Sequence, residues 1–167
     1  MSENNTPPDS RPWHVYPWPP LAWLETVIKL IAIAIGIVAL IQALAGGQFA
    51  LPGGLRLAQL VILALLSLGL VAAIFDRLAE REIVAMVFVL LNNLGHWGMV
   101  IALLGVPGPG ALLTAFAALM LAGDVVKLVF LRDHDFSVRD TPRIVLYGLT
   151  SVYVVGYLVI LLLQFVA

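Results

Sequence analysis

Residues 21–45 read LAWLETVIKLIAIAIGIVALIQALA. About 20 consecutive apolar residues, wound as a helix, cross the roughly 30 Å hydrocarbon layer of a bilayer. This run meets that length, and it is too long for the apolar core of a signal peptide. Ala43-Leu44-Ala45 resembles a cleavage site, but the segment is expected to be retained. It also carries a glutamate, a lysine and a row of small residues on a regular spacing, so it has a face that should not meet lipid.

Four further runs of the same kind follow, at about 55–75, 83–105, 110–131 and 143–166. The breaks between them are clear: Gly46-Gly47 with Pro52-Gly53-Gly54, the charged stretch from Asp76 to Glu82, Val106-Pro107-Gly108-Pro109-Gly110, and a polar connection from Arg132 to Arg143. Glycine and proline pairs mark turns. The fold class expected is an all-α, polytopic transmembrane bundle of five spans. One domain covers 21–167, behind a cytoplasmic tail at 1–20 rich in proline and aromatics. The first dozen residues are expected to be disordered. Trp13, Tyr16, Trp18 and Trp23 suit the headgroup layer, where amphipathic rings settle.

Composition agrees. Of 167 residues, 62% are hydrophobic and 11% charged, and the mean hydropathy is +1.04. Soluble domains carry about 45–50% apolar and about 25% charged residues. A chain this small could not hide that excess, so lipid must cover it. The net charge of −1 gives no basic surplus for nucleic acid. The absence of cysteine excludes disulfides, thiolate metal sites and thiol nucleophiles.

Orientation follows from lysine and arginine, which favour cytoplasmic loops. Arg77 and Arg81 follow span two. Arg132, Arg139 and Arg143 follow span four, with Lys127 close by, and Arg11 lies in the tail. Of 9 basic and 10 acidic residues, Arg56 alone falls in the opposite half. The N-terminus is expected inside and the C-terminus outside, in a bacterial inner (plasma) membrane.

Ionisable groups inside a span are costly and point to function. Glu25 and Lys127 lie near the inner boundary, where long side chains reach the interface. Glu25 and Lys29 are spaced to pair along the helix. Lys29 and Asp124 lie deeper, roughly 10–12 Å in at about 1.5 Å per residue, and are natural partners for each other. Ser67, Asn92 and Ser151 fall at similar depth, so each helix can offer one polar group to a single layer. Asn93 and His96 stand near the centre of span three, where Asn92 and His96 share a face. A mid-membrane histidine can relay protons or bind haem or metal. A second intramembrane histidine is missing, because His14 and His134 are in the tail and loop, so no cofactor is expected. Asp133-His134-Asp135 reads as an exposed charged loop, and no metal site is expected there.

Three rows look like packing faces. Glu25, Lys29, Ala32, Gly36, Ala39 and Ala43 fall in one arc, and small residues let helix backbones approach closely. Ala111, Ala115, Ala118 and Ala122 form a second row, with Asp124 on nearly the opposite side, so span four is expected to bury two faces. Thr150, Tyr153, Tyr157 and Gln164 form a polar row that should face the bundle, a partner helix or a wet cavity.

There is no nucleotide loop, zinc motif or nucleophile–base constellation. The leading expectation is a non-catalytic membrane protein, a homo-oligomer or an accessory subunit, whose partners are lipid and other membrane helices. Two alternatives stay open. One is a small transporter or channel with an inner-half polar site. The other is an enzyme acting on a lipid or quinone through His96 or Asp124.

Overall fold

The computed structural model describes residues 12–133 and 142–166. Expectations for the first eleven residues, and for His134, Asp135 and Arg139, lie outside the described residues. Five helices follow one another: α1 (Pro20–Gly46), α2 (Gly54–Glu80), α3 (Ile83–Gly105), α4 (Gly110–Asp133) and α5 (Arg143–Val166). All five are long and apolar enough to cross a membrane, as an integral membrane protein requires. In lipid the helix is the one open-chain form that satisfies its own backbone groups.

The helix ends follow local chemistry. Proline opens α1, where its missing N–H costs nothing. Gly47 closes it at φ 64°, in the left-handed region that favours glycine. The largest departure from expectation is the second break. Asp76 to Glu80 was expected in a loop, yet α2 runs through them for 27 residues, about 40 Å. The chain turns only at Arg81, with φ 54°. Arg77 and Glu80 pair at 2.5 Å along that last turn. Charges do not end a helix when they can lie on its solvated face.

The helices form a closed ring in the order α1, α3, α2, α5, α4 and back to α1. The closest approach is between α1 and α3. A Cβ on Gly36 would collide with the Gly95 backbone, one on Gly95 would lie 2.8 Å from Ile33 Cα, and one on Gly98 would lie 2.5 Å from the Gly36 carbonyl. The expected row on α1 is buried throughout: Glu25, Lys29, Ala32, Gly36, Ala39 and Ala43. Its counterpart on α3, Gly95, Gly98, Ala102 and Gly105, is spaced 3, 4 and 3 and escaped the sequence reading.

The expected second face of α4 is not buried within the single chain. Ala111, Ala118 and Ala122 are exposed and Ala115 is half-buried, whereas Leu113, Phe116, Ala117, Met120, Gly123 and Asp124 point inward. The alanine row leads the inward row by two residues, or about 200° around the helix. The ring needs bulk at its centre, so Phe116 and Met120 turn in and the small residues turn out.

The α1–α3 contact sets a stability test. Gly36→Val should cost about 3 kcal/mol through overpacking, while Val38→Leu on the exposed side should be neutral. Thermal unfolding in mild detergent compares them. Similar midpoints would show that the two backbones are not in contact.

Candidate functional site

The half of the ring nearest the α1–α2 and α3–α4 turns is filled. Leu63, Met99, Leu113, Phe116 and Ile160 are almost wholly buried there. Gln59 locks α2 to α5 by donating from Nε2 to the Ile160 carbonyl at 3.2 Å and to Gln164 Oε1 at 3.0 Å. The other half carries the ends of α2 and α4 and the starts of α1, α3 and α5, and with them most of the charge.

In that charged half the helices enclose a cavity of about 560 Å3, bounded by side chains from all five helices and by the segment leading into α1. Its volume lies within the roughly 300–1,000 Å3 of typical ligand sites. Its lining is mixed. Glu25, Lys29, Asn92, Asp124, Lys127, Thr150, Tyr153 and Tyr157 supply polar groups, and Leu65, Leu70, Phe88, Leu149 and Val152 supply apolar wall.

Lys29 is the centre of the polar wall. Its ammonium meets Glu25 Oε1 at 2.7 Å and Asp124 Oδ1 at 2.6 Å, with all three side chains nearly buried. Its stem crosses to α4 over Gly123, where a Cβ would lie 2.7 Å from Lys29 Cγ. Glu25 therefore does not extend to the interface as expected. A carboxylate one turn from a buried ammonium is better satisfied by it than by the membrane surface. The sequence points to Gly123 only through its place beside Asp124. Lys127, expected at the interface, is half-buried on the cavity wall. Among the described residues it has no ion-pair or hydrogen-bond partner.

The polar layer expected from all five helices is incomplete. Ser67 is buried but donates to the Leu63 carbonyl of its own helix at 2.7 Å. Ser151 is exposed. Thr150 takes the inward place on α5, since one residue is about 100° of rotation. The rest of the polar row on α5 faces inward too. Tyr153 donates to the Leu66 carbonyl at 2.9 Å, beside Gly69, where a Cβ would lie 2.6 Å from its hydroxyl. Tyr157 is buried and meets His96.

His96 is wholly buried and lies behind Tyr157, off the cavity wall. Its Nδ1 is 2.8 Å from the Asn92 carbonyl. That oxygen only accepts, so Nδ1 donates, and in the neutral ring Nε2 accepts from the Tyr157 hydroxyl. Both ring nitrogens are thus engaged inside the bundle, and among the described residues it is Tyr157, not His96, that borders the cavity. Asn93 ties α3 to α2, donating to the Leu70 and Val89 carbonyls at 3.0 Å. The side-chain oxygens of Asn92 and Asn93 are buried without hydrogen bonds.

A strap crosses the mouth of the cavity. His14 N–H donates to the Arg81 carbonyl at 3.0 Å, and Ile83 N–H returns to the His14 carbonyl at 3.0 Å. Glu82 caps α3 by accepting from Val84 N–H and Ala85 N–H, and it accepts Tyr16 N–H at 3.3 Å. His14, Tyr16 and Trp18 thereby join the cavity wall. Trp18 stacks edge-on to Phe88 with centroids 6.4 Å apart. Trp13, Tyr16 and Trp23 remain about half exposed.

The triad invites a substitution cycle. Lys29→Met leaves two nearly buried carboxylates without their shared cation and should cost about 3–5 kcal/mol. Asp124→Asn should cost less, because Glu25 still holds the ammonium. The triple variant Glu25→Gln, Lys29→Met, Asp124→Asn should regain most of the loss. Unfolding midpoints in detergent decide it, and a triple variant no better than Lys29→Met would contradict the pairing.

No family model matches the chain, and neither a curated protein nor a solved structure matches it.

Proposed function

We propose that this chain is a small carrier of a bacterial inner membrane, holding its ligand in the cavity at the charged end, which faces the cytoplasm. The cavity is the observation that supports the reading. A structural subunit gains nothing from a half-empty interior, because each void forfeits packing contacts. Here five helices keep a polar-walled space against that loss. The other half is shut by Leu63, Leu113, Phe116 and Ile160 and by the Gln59–Gln164 lock, as in a carrier open to one side. Cytoplasmic orientation rests on Arg77, Arg81, Arg132 and Arg143 lying at the open end. The chain lacks cysteine, so a single introduced thiol reports on itself alone. Thr150→Cys, on the cavity wall, should react with a membrane-impermeant maleimide from the cytoplasmic side in inverted vesicles. It should react more slowly from the opposite side in right-side-out cells, when the carrier opens the other way. A thiol inert from both sides would mean a dry interior and end the carrier reading.

The exposed row Ala111, Ala118 and Ala122 supports a second reading, a subunit that packs α4 on another membrane helix. Small residues are what helix pairs in lipid use. Ala118→Cys should then form an oxidative dimer in native membranes if the partner is a second copy, and Leu94→Cys, exposed on α3, should form it less. Equal, weak crosslinking at both positions would remove self-association through this face.

A further inference from the structure

Two polar side chains on the cavity wall are left without partners. Asn92 of α3 is 5% exposed and Thr150 of α5 is 4% exposed, and both border the cavity. Thr26 and Thr114 satisfy their hydroxyls on the carbonyl one turn back, at 2.8 Å. Thr150 makes no such bond among the described residues. The Asn92 side-chain oxygen is buried without a hydrogen bond, and a half-turn of the amide presents either its oxygen or its NH2 group to the space. An unmet buried polar group costs stability. The loss is offset when a molecule in the void bonds to it.

The charges around the void set the sign of that molecule. Glu25 and Asp124 are matched in charge by Lys29 and Lys127, which lies one turn from Asp124. At the mouth Asp76, Glu80 and Glu82 outnumber Arg77. The charged side chains bordering the cavity therefore sum to −2. Arg77 pairs with Glu80, so the surplus is carried by Asp76 and by Glu82, the cap of α3. Low-dielectric walls focus such a field along a cleft and concentrate ions of the opposite sign. An anion is opposed at the mouth and finds no spare cation deeper in.

A cation is drawn in, and the deep wall has acceptors for it. Glu25 and Asp124 each give one oxygen to Lys29, and their other oxygens accept no hydrogen bond among the described residues. The rest of the wall is apolar and aromatic. Leu70, Leu149 and Val152 line it together with the rings of Trp18, Phe88 and Tyr153, and ring faces attract cations.

We propose that the cavity binds a primary amine carried on a compact apolar body. Its ammonium has three N–H donors, for Asn92, for Thr150 and for the oxygens that Glu25 and Asp124 leave over. The inference rests on the cavity being a ligand site, and it adds the ligand's class and the residues that select it.

The test uses the full chain in nanodiscs of zwitterionic phospholipid, with radiolabelled phenylethylamine as the probe. Wild type should bind it saturably. Phenylethanol, of similar shape but uncharged, should displace it about ten-fold less well than unlabelled amine, and phenylacetate less again. Asn92→Leu should separate binding from stability. It removes an unmet polar group, so the unfolding midpoint should hold or rise, while amine binding weakens about ten-fold. Thr150→Val should also weaken binding with the midpoint kept. Ser67→Ala, off the cavity wall, should bind as wild type does. Displacement by phenylacetate equal to that by the amine, or wild-type affinity in Asn92→Leu or Thr150→Val, would overturn the proposal. Absence of saturable binding would overturn it too, and would mean that water alone meets Asn92 and Thr150. If the amine fails while Thr150→Cys still reacts from the cytoplasmic side, the carrier reading survives and this ligand class falls. If Thr150→Cys is inert as well, both fall.

Discussion

The cation at Lys29 organises the charged half of the bundle. A lysine this deep in a span must be given counter-charge or leave, and two carboxylates from two helices hold it at 2.7 and 2.6 Å. The contact fixes α1 against α4 in both rotation and height, because only one face of α4 offers Asp124 next to a glycine. The opposite edge of α1 is fixed just as tightly by Gly36 against Gly95 and Gly98. With α1 clamped on both sides, α3 and α4 meet through the edge-on His96 and Phe116 rings, 5.1 Å apart, and α2 and α5 close the ring on the far side. The triad has an ion-pair cost as well. Burying charges returns little net stability unless every group is satisfied, so the triad orients α1 and α4 more than it stabilises them.

Much of this fold was legible in the chain, for a physical reason. A bilayer forces the backbone into helix wherever apolar residues run long enough, so the five spans follow from counting. The same rule says little about where a helix ends once it leaves the hydrocarbon. Asp76 to Glu80 look like a loop in a hydropathy reading, yet nothing in them opposes helix, and the left-handed turn waits for Arg81. Phase was legible where one face carries a clear chemical contrast, as on α1. It failed where the contrast was mild. On α4 the alanine row suggests a buried face because alanine permits close packing, but a ring of five needs large residues at its centre. On α5 the choice between Thr150 and Ser151 turned on a single residue of rotation.

What escaped the sequence depends on pieces far apart in the chain. Nothing near His14 announces that its backbone will pair with Arg81 and Ile83. Glu82 is readable as a helix cap, but not as the anchor of Tyr16. Gly123 matters only because Lys29 arrives from another helix. Gly95 and Gly98 could have been found, since their spacing continues through Ala102 and Gly105. The hydrophilic cluster of Asn92, Asn93 and His96 interrupts that row and masks its spacing. The polar row on α5 allowed for a wet cavity, but its place and volume could not be read, because a void is a property of how five surfaces meet.

The difference between the two halves of the ring has a common cause in the α2–α5 seam. On the filled side, Gln59 reaches α5 through two hydrogen bonds, and Leu63 and Ile160 close behind it. Tyr153 makes the last crossing contact by lodging its hydroxyl against Gly69. Beyond Gly69, Leu70 and Ala73 of α2 and Leu146 and Leu149 of α5 border the cavity, in the sparsest seam of the ring. The charges of α1 and α4 border the same space, so its apolar flank and its most polar wall follow from one cause: the close contacts that fill the other half stop at Tyr153 and Gly69.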